Sequence, residues 1–370
     1  MAARRVAIEA LTRIDTEGAY ANLLLPRMLQ DSSLDRHDRA LVTELVYGTT
    51  RMRRACDWLV EPFLLAPVEP SVRAALRVGA YQLHVLGTPP HAAVSATVGA
   101  VPGRPRSLVN AVLRRVATVV PTWPDDATRL SYPDWIVDRL VTDLGRPAAL
   151  AALSAMDEAA TVTRREDGYV QDPASTEVAW AVAARPGERV VDLSGAPGGK
   201  ATAMAAAGAF VVAGDLRPGR SRILARNTRR LRLSERVGVL TCDGTAPALR
   251  ARSVDKVLID APCSGLGSLR RRPDARWRID PEAPERLARL QVDLVLAQLP
   301  LLRPGGVLTY SVCTLTEAET SGVLETVLAR TEVPVEVLPP PAGRWDPVGP
   351  VARLLPAETD GMVLWQVRRR

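Results

Sequence analysis

The chain has 370 residues, room for two or three domains, and its 47% hydrophobic and 24% charged residues argue against a disordered or fibrous protein. No apolar run reaches the roughly 18 residues of a membrane span, and the start, acidic already at Glu9, does not read as a signal peptide. The formal net charge of +7 fits an anionic partner such as nucleic acid.

Residues 1 to about 120 predict helices throughout. Apolar residues recur at helical spacing in Val6-Ala7-Ala10-Leu11-Ile14, Leu41-Val42-Leu45-Val46 and Leu76-Val78-Ala80-Leu83. Breaks are expected at Asp31-Ser32-Ser33, from Pro62 to Pro70, at Thr88-Pro89-Pro90 and at Pro102-Gly103-Arg104-Pro105. A helical bundle follows from that spacing. Residues 123–169 read as a helical linker, with helix from Pro133 through Met156 interrupted at Gly145-Arg146-Pro147. From residue 170 strands alternate with helices. The strands are expected at Arg189–Leu193, Phe210–Asp215, Val237–Asp243, Val257–Asp260 and Val307–Ser311. Short, nearly continuous apolar strands separated by helices predict a doubly wound α/β domain around a parallel sheet.

Ligands of such sheets bind at the carboxyl ends of the strands. Here those ends carry Asp215, Asp243, Asp260 and, shortly after the last, Cys313. The first turn, Ser194-Gly195-Ala196-Pro197-Gly198-Gly199-Lys200, combines close backbone approach with the free N–H groups of a helix start. It is not a nucleotide triphosphate loop, because Ser194 and Ala201 stand where Gly and Ser or Thr are needed. Gly-x-Gly-x-x-Gly is absent as well. Asp215 lies 23 residues after Asp192, where a carboxylate can accept both ribose hydroxyls. A ribose carboxylate without a phosphate loop favours S-adenosylmethionine over NAD or ATP. Lys200 stands out too: of 48 basic residues only Lys200 and Lys256 are lysine, and a compact ammonium there suits holding anionic groups in place.

The four cysteines, Cys56, Cys242, Cys263 and Cys313, form no Cys-x-x-Cys pair and have only His37, His84 and His91 for company. They suggest a reducing cytoplasm rather than a disulfide framework, and no structural metal site. Asp260-Ala261-Pro262-Cys263-Ser264-Gly265 and Tyr310-Ser311-Val312-Cys313-Thr314 end successive strands with a thiol each, which points to two thiols facing one pocket. Of the arginine clusters, Arg229-Arg230-Leu231-Arg232 reads as a solvated helix face and Arg270-Arg271-Arg272 as a phosphate contact.

With these motifs, Val170-Gln171-Asp172, the run from Asp192 to Lys200, Arg271-Arg272-Pro273-Asp274 with Trp277, Arg353-Leu354-Leu355-Pro356 and Asp360-Gly361, residues 170–370 resemble the Sun family of RNA cytosine-5 methyltransferases. Tyr47-Gly48-Thr49 with Arg51, Gly79-Ala80-Tyr81-Gln82-Leu83 and Leu108–Arg115 resemble a NusB-like RNA-binding domain over residues 1–122. That order of domains is the one of the bacterial small-subunit ribosomal RNA branch. The resemblance implies a Rossmann-like catalytic domain and S-adenosylmethionine as cofactor, lined by Ser194, Gly195, Ala196, Pro197, Gly198, Gly199, Lys200, Asp215, Asp243 and Asp260. It implies small-subunit ribosomal RNA as partner and substrate. Cys313 would add to carbon 6 of cytosine, because carbon 5 is a poor nucleophile until it does. Asp260 would meet the base edge, and Cys263 would assist release.

Four departures stand against the family pattern. Ser194 and Gly195 replace a usual Cys-Ala, and Val312 replaces a usual Thr. Met362-Val363 stand where two aromatics are usual, and the RNA-holding α/β segment between Trp135 and Gln171 is shortened to Pro147–Gly168. The last leaves open the same chemistry on another RNA or a smaller substrate. A noncatalytic RNA-binding or assembly role is a third reading, opposed by the presence together of Lys200, Asp260, Cys263 and Cys313.

Overall fold

A computed structural model describes residues Ala2–Arg370. The chain divides into two compact units. One is the chain up to Asp138 together with Leu269–Arg278; the other is Arg139–Ser268 together with Ile279–Arg370.

The first unit is helical: α1 (Ala2–Thr16), α2 (Ala21–Gln30), α3 (Arg36–Arg51), α4 (Arg53–Val60), α5 (Pro70–His84), α6 (Pro90–Ala100), α7 (Arg106–Val116), the single turn α8 (Asp126–Arg129) and the start of α9 (Asp134–Leu144). The expected breaks fall between helices. Asp35 caps α3 by accepting the Asp38 N–H at 2.8 Å, and Pro70 opens α5 where its missing N–H costs nothing. Two further breaks, at Gly18 and Met52, were not anticipated; Gly18 takes φ 65°, a conformation that ends a helix cheaply only at glycine. Helix α5 runs through the middle, with Val72 and every residue from Ala74 to Gln82 buried, and packs on α1, α3, α4, α6 and α7. Its core includes Leu25, Leu45, Leu76 and Leu113.

The segment Leu269–Arg278 belongs to this helical unit although it follows the Asp260–Gly265 motif in sequence. Arg276 is fully buried, its guanidinium 3.8 Å from the Tyr132 ring centroid, and it donates to the carbonyl of Ser131 at 3.2 Å. Trp277 donates its Nε1–H to the Thr50 carbonyl at 2.8 Å, and Arg278 donates to the Gly18 carbonyl at 2.7 Å. This corrects the reading of the arginine cluster as a phosphate contact at its first member. Arg270 is buried at 5% exposure within the helical unit, and Arg272 is exposed.

The second unit holds most of α9, then α10 (Arg146–Ala155) and a short turn in which Arg164 bridges Val170. It continues as β1 (Arg189–Asp192), β2 (Phe210–Asp215), β3 (Val237–Thr241), β4 (Val254–Asp260) and β5 (Leu302–Val312), with α11 (Pro173–Ala181), α12 (Gly199–Ala206), α13 (Pro218–Arg230), α14 (Ala283–Gln298) and α15 (Ser321–Arg330). The five strands are parallel in the order β3-β2-β1-β4-β5. Four more strands extend the sheet antiparallel: β6 (Val335–Val337), β7 (Asp346–Val348), β8 (Val351–Leu354) and β9 (Met362–Arg369). The sheet is therefore mixed, not purely parallel as expected. Three of the added strands are only three or four residues long, too short to show a period, and a proline sits inside β7. No helix among the described residues is long and apolar enough to cross a membrane.

Arg276→Ala removes a buried ring contact and charged hydrogen bonds, so the helical unit should lose about 3 kcal/mol of stability. Trp277→Phe, losing one donor, should cost about 1 kcal/mol. Urea denaturation followed by circular dichroism measures both, and an unshifted Arg276→Ala midpoint would contradict the role given to this segment.

Candidate active site

The order of the parallel strands reverses between β1 and β4, and a crevice for ligands opens outside the carboxyl ends of such a pair. Asp192 ends β1 and Asp260 ends β4, one on each side of that point. Lys200, in the first turn of α12, reaches across, its Nζ 2.7 Å from Asp260 Oδ2. Burial alone pulls the Lys200 ammonium down, but the Asp260 carboxylate and its hydrogen bond outweigh it, so the lysine is held charged above its ordinary value.

The turn from Ser194 to Gly198 wraps closely around Asp192. A Cβ on Gly195 would lie 2.9 Å from both the carbonyl oxygen and Oδ2 of Asp192, which explains glycine there. Asp192 is fully buried, and neither carboxylate oxygen has a hydrogen-bond partner among the described residues. Burial, reinforced by the charge of Asp260 and opposed by Lys200, pushes its pKa up to about 7. Asp215, at the end of β2, accepts from Arg217 N–H at 2.9 Å and from Arg220 Nε at 2.7 Å. Arg220 also donates to the Ala196 carbonyl at 2.5 Å, and Asn227 to the Pro197 carbonyl at 2.8 Å. Helix α13 thus straps the turn to the second strand. Asp243 is exposed just beyond β3, where its carboxylate takes the N–H and hydroxyl of Thr245; those bonds hold it below the usual carboxylate range. An unsatisfied buried carboxylate, a tight turn, a helix N-terminus and a carboxylate at the end of β2 are a donor and acceptor set that fits a nucleoside cofactor.

The two thiols come from neighbouring loops. Parallel pairing puts Asp260 opposite Ser311, so the residues just beyond both strands emerge side by side. Cys263 Sγ lies 3.4 Å from Cys313 Sγ. Gly267 N–H donates to the Cys313 carbonyl at 2.9 Å, and Gly361 N–H to the Gly267 carbonyl at 2.8 Å, which ties both loops to the C-terminal strands. A side chain on Gly267 would collide with backbone, 2.7 Å from the Gly361 carbonyl oxygen. The pair is polarised. The hydrogen-bonding contact with Cys263 pulls the Cys313 pKa below its ordinary value against the effects of burial and Asp260, with Ser268 and Lys200 helping. The same hydrogen bond, together with burial, drives Cys263 well up. The two shifts run in opposite directions, which favours thiolate formation at Cys313 over Cys263.

Residues 179–364 match the family described as 16S rRNA methyltransferase RsmB/F, and residues 1–118 match the NusB family. The chain belongs to the RsmB/F family. Its relatives include the ribosomal RNA small subunit methyltransferase B of Thermus thermophilus, 39% identical over 88% of this chain and 87% of that protein. The protein of the same name from Salmonella paratyphi B is 31% identical over 89% of this chain and 90% of its own length. The solved structure of PH0851 has the same fold, with a TM-score of 0.79 at 20% identity over 99% of this chain and 98% of that one. The expected all-helical NusB-like part and the α/β methyltransferase part are thus both present.

Sequence reasoning missed the buried group that joins the two cysteine loops, Glu319 with Gln291 and Tyr310. In the run Thr314-Leu315-Thr316-Glu317-Ala318-Glu319-Thr320 nothing separates the fully buried Glu319 from the exposed Glu317. It missed Arg220 for the same reason, one arginine of many on α13.

The raised Asp192 pKa has a sign that can be tested. The folded chain keeps this proton to about pH 7, whereas the unfolded chain releases it near pH 4. Its contribution is therefore present at low pH and is lost as pH rises towards 7. Asp192→Asn should raise the melting temperature of the ligand-free protein more at pH 8 than at pH 5, by differential scanning fluorimetry. Parallel curves for the two proteins would contradict the shift.

Proposed function

We propose that this RsmB/F-family chain transfers a methyl group from S-adenosylmethionine to carbon 5 of a cytosine in small-subunit ribosomal RNA, through a covalent bond between Cys313 and carbon 6. The observation that carries the reading is the pair of thiols 3.4 Å apart beside Lys200 and Asp260, since addition to carbon 6 needs a thiolate and the later elimination needs it to leave again. S-adenosylmethionine supplies an electrophilic methyl group when bound. Ser194–Lys200, Asp215, Asp243 and Asp260 are the residues assigned to hold it. Asp215, kept in place by Arg220, suits the ribose hydroxyls, although Asp243 is exposed and occupied by Thr245.

Cys313 attacks carbon 6, and charge builds on the ring. Asp260 meets the base edge, with the Lys200 ammonium behind it to offset that charge. Once carbon 5 has been methylated, its proton must leave and the carbon–sulfur bond must break. Cys263 is assigned to that release. Bonding of Cys313 to carbon 6 removes the hydrogen bond and charge that hold the Cys263 proton, and that proton passes to water. The Cys263 thiolate then takes the carbon 5 proton while the carbon–sulfur electron pair returns to Cys313 as thiolate. The names of the relatives and the match to the NusB family support ribosomal RNA as substrate. The basic net charge and the reducing conditions that two free, closely spaced thiols require agree with action on RNA in the cytoplasm.

The test is transfer of labelled methyl from S-adenosylmethionine to unmodified small-subunit ribosomal RNA. Label should appear as 5-methylcytosine. Cys313→Ala should reduce the rate at least about 10³-fold, since it removes the assigned nucleophile. Cys263→Ala should instead leave protein covalently trapped on RNA. Undiminished 5-methylcytosine from Cys313→Ala would overturn the mechanism, and label in another base would overturn the substrate assignment.

A further inference from the structure

Beneath the two cysteine loops lies a carboxylate that the addition chemistry itself does not require. Glu319 is fully buried, and its oxygens meet five donors, none of them cationic. Oε1 accepts the Ser264 N–H at 2.8 Å and Gln291 Nε2 at 3.1 Å; Oε2 accepts the hydroxyls of Ser264 at 2.5 Å, Thr316 at 2.9 Å and Thr314 at 3.1 Å. Ser264 directly follows Cys263, and Thr314 directly follows Cys313. One carboxylate therefore grips the chain next to both thiols.

Gln291, from α14, extends the grip to the other side of Cys263 by donating to the Pro262 carbonyl at 2.9 Å. The Tyr310 hydroxyl lies 2.9 Å from Gln291 Oε1 and 2.7 Å from the Glu319 carbonyl, and its ring stacks on Trp365 at 4.6 Å. Burying a carboxylate is costly even when every lone pair is used, and for stability alone an apolar residue of similar size does as well. What an apolar residue cannot do is fix two loops to each other through directional bonds. The S–H···S contact depends on that fixation, because it spans two loops that share no helix or strand beyond their parent sheet.

We propose that Glu319 is a positioning residue that holds the Cys263 thiol on the Cys313 sulfur and so sets the reactivity of Cys313. The proposal rests on Cys313 being the nucleophile of the methyl transfer. Glu319 makes no hydrogen bond to either sulfur; its charge helps to raise Cys263, and it holds the loops through Ser264 and Thr314. Replacing it with glutamine keeps the shape but removes the charge that gathers three hydroxyls on Oε2. Those hydroxyls must turn to accept from the amide, whose two N–H groups cannot serve all three, and the tie between the loops loosens.

The test is the pH dependence of iodoacetamide alkylation at each cysteine of the full chain without RNA, resolved by peptide mass spectrometry. In the wild type Cys313 should react at lower pH than Cys263. In Glu319→Gln the Cys313 midpoint should rise by about one pH unit, slowing its alkylation about tenfold at neutral pH. In the methyl-transfer assay kcat should fall at least as far, while KM for S-adenosylmethionine stays within about twofold. Ser264→Ala, which removes one hydroxyl and keeps the backbone donor, should shift the midpoint the same way by less, and it decides alone if Glu319→Gln does not fold. Loss of thermal stability by itself moves neither midpoint nor KM. A folded variant with the wild-type midpoint overturns the positioning role. A wild type whose Cys313 reacts no earlier than Cys263 overturns the nucleophile assignment, and the proposal with it.

Discussion

Two sulfur atoms 3.4 Å apart can share a proton, and the register of two parallel strands is what brings them to that distance. Because Asp260 and Ser311 are paired partners at the ends of β4 and β5, each loop begins at the same height on the sheet. A slip of one residue would turn every side chain to the opposite face and would separate the thiols. The rest of the site maintains this arrangement. Gly267 lets the first loop lie against the Cys313 carbonyl, Gly361 brings in the C-terminal strands, and Glu319 ties the residues that follow the cysteines. The antiparallel strand β9, paired along β5 from Val307 to Val312, backs the strand that carries Cys313 and keeps it from being an open edge.

Charge around the thiols is arranged in the same economical way. The site has one buried ammonium, Lys200, and two carboxylates at the adjoining strand ends, Asp192 and Asp260. Lys200 bonds Asp260 directly, so Asp192 receives only the pull of its charge, and burial with the charge of Asp260 raises the Asp192 pKa to about 7. The three are coupled: changing any one alters the field at Cys313, whose thiolate form Lys200 favours and Asp260 opposes. An arginine at position 200 would bring a planar fork where a point charge fits between two strand ends, which gives a physical reason for one of only two lysines in the chain.

The parallel half of the sheet was legible because its strands are fully covered and so read as apolar runs: Val190-Val191, Val211-Val212-Ala213, Val257-Leu258-Ile259. The spacing of helices in the first unit was equally plain, with proline at most of the breaks. The antiparallel extension was not, since β6, β7 and β8 are very short and the apolar run that opens β9 does not show which strand it pairs with. Arg270 was misread for another reason. Nearness in sequence to Cys263 makes Arg270-Arg271-Arg272 look like a phosphate contact, and only packing reveals that Arg270 is buried and that Arg276 lies over Tyr132. Candidate site residues announced themselves where the residue type was rare, as with Lys200, Cys263 and Cys313. Glu319 and Arg220 belong to common types, and their roles come from burial and partners that a sequence does not display.

The central claim, that Cys313 and not Cys263 forms the bond to the base, is tested most directly by RNA carrying 5-fluorocytosine. Fluorine at carbon 5 cannot leave as a proton does, so release stops after methylation and the covalent species accumulates. With S-adenosylmethionine present, the wild-type protein should form a denaturant-stable complex with this RNA, and peptide mass spectrometry should place the nucleotide on Cys313. A nucleotide on Cys263, or no stable complex from a protein that methylates unmodified RNA, would contradict the account.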